Sequence, residues 1–79
     1  MRVQVGALPS QEAAAREVER LRRSYGNVFG RVSITVVRGD SGGTPIYRIQ
    51  AGPVRDRAAA DELCNALRQH RVGCIIVAR

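Results

Sequence analysis

The chain has 79 residues, 44% of them apolar, and a formal net charge of +6 carried by 13 arginines and no lysine. That length gives one compact domain with a single modest core, and the apolar share excludes a disordered chain. No apolar run reaches the roughly 18 residues of a membrane span and the start lacks a basic-then-apolar signal pattern, so residues 1–79 are expected to be one domain excised from a larger protein, with any membrane anchor outside this chain.

Arg2 to Gly6 alternates polar and apolar side chains, the period of a half-buried strand. Gly6 and Pro9 end it, Ser10 is a good helix N-cap, and Glu12 sits in the first turn. Ala14, Val18, Leu21 and Tyr25 then share one helical face, and the helix is expected to fade near Ser24 to Gly26. Glu12 with Arg16 and Glu19 with Arg23 stand at i,i+4 spacing and are expected to form surface pairs. Residues 31 to 38 alternate again as a second strand, with Val32, Ile34 and Val36 on one side. Gly39 to Pro45 is a turn cluster, longer than a two-residue hairpin needs. A third strand runs from about Ile46 to Ala51, and Asp56 caps a second helix that buries Ala59, Ala60, Leu63, Cys64 and Leu67. After a turn around His70 to Gly73, Cys74 to Ala78 forms a fourth strand.

The two halves repeat. Arg2-Val-Gln-Val-Gly matches Arg48-Ile-Gln-Ala-Gly, Ala13-Ala14 matches Ala59-Ala60, and Leu21-Arg22 matches Leu67-Arg68. The order βαββαβ with right-handed crossovers predicts an α+β, ferredoxin-like domain: a four-stranded antiparallel sheet with two helices on one face and strands one and three at its centre. Alternation then sets the phase of each strand. Val3, Val5, Val32, Ile34, Val36, Tyr47, Ile49, Cys74 and Ile76 are expected to face the helices. Arg2, Gln4, Arg31, Ser33, Thr35, Ile46, Arg48, Gln50, Ile75 and Val77 are expected on the open face.

An open sheet face needs polar side chains simply to stay soluble. Here, however, the amides Gln4 and Gln50 occupy matched positions in both halves, and apolar Ile46, Ile75 and Val77 share the surface. Amide and guanidinium groups around apolar contacts suit a polar polymer with carbon faces, such as a glycan. Cys64 and Cys74 should look into the same layer, which allows either a disulfide in an oxidising compartment or two buried free thiols. No catalytic set can be assembled, no cofactor is implied, and two cysteines with lone His70 fall short of a metal site. An RNA-binding module on the same scaffold is the rival reading, but its stacking aromatics are missing from the inferred open face, so no nucleic-acid partner is expected. A small-ligand or protein-interaction module would need a pocket or dimer surface that the sequence does not display; a monomer is expected.

Val3-Gln4-Val5-Gly6-Ala7-Leu8 before a capped Ala-rich helix, together with Tyr47-Arg48-Ile49-Gln50-Ala51-Gly52-Pro53 before a second capped helix, resembles the SPOR (sporulation-related repeat) family over essentially the whole chain. The resemblance implies a non-catalytic module of the bacterial periplasm and cell envelope. It implies binding to peptidoglycan glycan strands stripped of their stem peptides, and so placement at the division septum or other sites of wall remodelling. Carried over by motif, the family's binding residues fall on Gln4, Ala7, Ile46, Arg48 and Ile75, and Gln50 joins them from the face argument. Ala7 stands where serine is common, Leu8 where an aromatic is common, and Ile46 where some members carry an aromatic that would stack on a sugar ring.

Overall fold

A computed structural model describes residues Met1–Val77. Its elements are β1 (Arg2–Leu8), α1 (Gln11–Phe29), β2 (Ile34–Ser41), β3 (Thr44–Ala51), α2 (Arg57–Gln69) and β4 (Ile75–Val77). The sheet order is β2-β3-β1-β4, antiparallel throughout, so the two strands that repeat each other lie side by side at the centre. Both helices start where their caps require: Ser10 Oγ accepts from the Ala13 N–H at 3.1 Å, and Asp56 Oδ1 accepts from the Ala59 N–H at 2.9 Å. The latter bond holds the Asp56 carboxyl below the usual carboxylate range.

The core is the layer between helices and sheet. Val3, Ile34, Ile49 and Ala51 from the strands meet Ala14, Leu21, Ala60, Leu63, Cys64 and Leu67 from the helices, all buried. Partly buried Val5, Val36, Tyr47 and Ile76 pack against this cluster, as the alternation requires.

Several boundaries differ from the sequence expectation. Tyr25 leaves helical geometry (φ −128°, ψ 23°) where the helix was expected to fade, yet α1 resumes and runs to Phe29, which is buried; Gly30 closes it at φ 58°. Burial of Phe29 outweighs the poor helix propensity of Gly26. β2 consequently begins at Ile34, which leaves Arg31 and Ser33 exposed but outside the ladder. The turn cluster Gly39 to Pro45 is mostly strand: β2 and β3 pair from Ile34↔Ala51 to Ser41↔Thr44, around Gly42 and Gly43 alone. Both glycines have positive φ (59° and 85°), the requirement of a tight two-residue hairpin turn. β4 begins at Ile75, with Cys74 just before it; the expected end at Ala78 lies outside the described residues. Among the described residues the ion pairs are Arg20–Glu17, Arg55–Asp56 and Arg57–Asp61, not the expected Glu12–Arg16 and Glu19–Arg23.

The C-terminus of α2 is closed by two nested bonds, Val72 N–H to Leu67 O at 2.9 Å and Arg71 N–H to Arg68 O at 2.9 Å. This is a Schellman closure, with Val72 and Leu67 buried together, but its left-handed residue is Arg71 (φ 62°) rather than glycine. Arg71→Gly is therefore expected to stabilise the domain by about 1 kcal/mol, because it relieves the cost of placing a Cβ in that region. Urea unfolding checks this; a midpoint at or below that of the unaltered domain refutes it.

Candidate functional site

On the face of the sheet away from the helices, two cross-strand rows bring candidate residues together. The first runs Thr35–Gln50–Gln4–Ile75 across all four strands. Gln50 Nε2 donates to Gln4 Oε1 at 3.3 Å, and Thr35 Oγ1 donates to the Gln50 carbonyl at 3.4 Å. Gln50 is only 9% exposed, so its amide holds Gln4 in place, while the NH2 of Gln4 makes no hydrogen bond among the described residues. Ile75 ends the row 63% exposed. This pairing of the two amides is the contact that their matched sequence positions anticipate.

The second row is Val37–Arg48–Ala7, and its geometry depends on an irregularity in β1. The register jumps between Gln4↔Gln50 and Gly6↔Ile49, which leaves Val5 as the extra residue of a β-bulge. Val5 packs against the core and Gly6 is in phase with Ile49, so Ala7 emerges on the open side, exposed and opposite Arg48. Simple alternation from Gln4 would have turned Ala7 inward. The bulge brings it to the same surface as the other candidates.

Along this surface lies an open groove of about 830 Å³, lined by Arg2, Gln4, Val37, Arg48, Gln50 and Val77 among others. A smaller one of about 270 Å³ follows towards the hairpin, where Ala7 and half-buried Ile46 lie with Pro45. The structure thus brings Gln4, Gln50 and Arg48 to one groove, sets Ile75 at its β4 side, and places Ala7 and Ile46 beyond Arg48. Val37, 37% exposed, is one of the lining residues that the sequence reading missed, with Met1 and Pro53. Continuing the alternation from Thr35 points to Val37, but the side-by-side valines obscured the phase.

The surface is electrostatically one-sided. Of the seven acidic residues, Glu12, Glu17, Glu19, Asp61 and Glu62 lie on the helices and Asp56 caps one; Asp40, on β2, belongs to the opposite phase, paired with Pro45. Arg48 makes no ion pair or side-chain hydrogen bond among the described residues, so its donors are free. All three aromatic residues, Tyr25, Phe29 and Tyr47, belong to the core or pack against it. A base-stacking platform is therefore lacking, whereas an anion with hydroxyl and amide groups finds suitable partners. Among the described residues no cluster of His, Cys, Asp or Glu is placed to hold a metal. Cys64 of α2 and Cys74 are joined by a disulfide with a Cα–Cα separation of 5.6 Å, which fastens α2 to the segment leading into β4.

The comparisons agree with this fold. No curated protein matches the chain. Among solved structures, the crystal structure of the RlpA SPOR domain from Pseudomonas aeruginosa superposes with a TM-score of 0.68 at 16% identity, covering 96% of this chain and 97% of that one, which shows a shared fold. The family model described as SPOR domain matches residues 1–78. The chain belongs to the SPOR domain family, the non-catalytic peptidoglycan-binding modules of bacterial cell-envelope proteins.

Proposed function

We propose that the domain recognises peptidoglycan glycan strands that have lost their stem peptides, and that it does so as a monomer through the open face of its sheet. Removing the stem peptide from N-acetylmuramic acid frees the lactyl carboxylate, so a denuded strand is a regularly spaced polyanion. An arginine unpaired among the described residues, beside a fixed amide pair on a face where those residues place no acid, is the observation that carries this reading. Arg48 receives a carboxylate through its planar fork. The NH2 of Gln4, whose oxygen is held by Gln50, donates to an acetamido or hydroxyl oxygen, and Ile75, Ile46 and Ala7 offer carbon surface to the sugar rings. Strands of this kind arise where amidases act during division. The domain accordingly delivers the protein that carries it to the septum or to other sites of wall remodelling in the periplasm.

Co-sedimentation with intact sacculi, amidase-treated sacculi and RNA tests this. Several-fold greater retention on the amidase-treated material is expected. Equal retention on both kinds of sacculi removes the denuded-strand preference, and binding to RNA alone, lost as salt rises, restores the nucleic-acid reading.

A further inference from the structure

Arg48 stands in the second row, two residues before Gln50 on β3, and its side chain does not point straight out. It runs sideways over β2. A Cβ built on Gly39 would collide with Arg48 Nη1 and lie 3.1 Å from Cζ and 3.6 Å from Nη2, so the guanidinium rests directly on the bare backbone of Gly39. Gly39 itself pairs with Ile46 on the edge strand, at a position whose backbone does not demand glycine: the left-handed glycines are elsewhere, at 30, 42, 43 and 52. Among the described residues no acid and no hydrogen bond holds the guanidinium there. The space left by a missing side chain is what permits the pose, with Val37 as its neighbour on the same strand.

We infer that Gly39 is a positioning residue of the site: it seats the Arg48 guanidinium over β2 with Nη1 towards the strand, and leaves its other donors to a carboxylate of the ligand. The inference rests on the glycan reading above and extends it to the edge strand, which that reading leaves without a role. A guanidinium already lying in its binding pose loses little freedom when a ligand carboxylate arrives. A methyl group at position 39 lifts it off the strand, and because the obstructing atoms are the tip of a flexible side chain, the backbone stays where it is. Alanine is also better tolerated than glycine inside a strand. Affinity and stability should therefore move in opposite directions or independently, whereas a packing defect lowers both.

The test compares the unaltered domain, Gly39→Ala, Arg48→Ala and the double variant. Each is measured for melting temperature, for affinity to amidase-treated sacculi, and for the NMR resonance of the Arg48 Nε–H, assigned by its loss in Arg48→Ala. Gly39→Ala is expected to melt at or above the unaltered domain, to shift that resonance, and to bind about three- to tenfold more weakly. In the Arg48→Ala background it is expected to change binding no further. Unchanged affinity of Gly39→Ala beside a weakened Arg48→Ala overturns the inference alone. So does a further loss in the double variant, or a loss of affinity accompanied by a lower melting temperature. If Arg48→Ala itself binds like the unaltered domain, the glycan reading of Arg48 fails and the role of Gly39 falls with it.

Discussion

Arg48→Ala is expected to reduce affinity for amidase-treated sacculi by about ten- to hundredfold, corresponding to the roughly 1.5–3 kcal/mol of charge-assisted hydrogen bonds to a carboxylate. The size of the effect follows from position. Arg48 is half-buried at the centre of the sheet, with apolar Val37 on one side and Ala7 on the other, so a bound carboxylate would be partly shielded from water and salt. The same residue contributes little to the fold, because it makes no ion pair or hydrogen bond among the described residues, and the melting temperature should barely move. Arg48→Lys keeps the charge but loses the planar fork and should recover only part of the affinity. Acid that protonates the lactyl carboxylate should weaken the unaltered domain and leave Arg48→Ala nearly unaffected. Full retention of Arg48→Ala on amidase-treated sacculi would remove the arginine from the site.

How much of this site is legible in the sequence depends on what each residue's position encodes. Alternation placed Gln4, Arg48, Gln50 and Ile75 outward because strand phase is a local property, and the repeat between the halves set the two glutamines opposite each other. Ala7 was different: only the family resemblance pointed to it, because a bulge is a two-strand event that β1 cannot announce by itself. The seat of Arg48 on Gly39 was hidden for a similar reason. By composition Gly39 is the first residue of a long turn cluster, whereas the turn needs only Gly42 and Gly43 and the rest of the cluster pairs. The extension of α1 to Phe29 likewise depended on a pocket in the folded core that no local propensity describes.

The second large effect concerns the disulfide and how it supports the same surface. Breaking it by reduction, or by Cys64→Ala with Cys74→Ala, is expected to cost about 2–3 kcal/mol, the loop-closure value for a short ring in the unfolded chain. In a domain of this size that lowers the melting temperature by about 10–20 °C. The bridge spans a sequence separation of 10 and ties α2 to the entrance of β4, a strand of three residues. β4 is held to the sheet by its single neighbour β1, through Arg2↔Val77, Val3↔Ile76 and Gln4↔Ile75. It is therefore the element with the least sheet pairing and the one most dependent on a covalent tether. Its first residue, Ile75, belongs to the proposed binding row, so the loss should not stay confined to stability. Amide exchange is expected to accelerate first over Ile75 to Val77, and retention on amidase-treated sacculi should fall before global unfolding begins. Melting followed with and without reductant, alongside exchange at those amides, separates the outcomes. A melting temperature that ignores reductant would show that the cysteines contribute as small buried hydrophobes, and that packing of Ile76 on the core holds β4 without them.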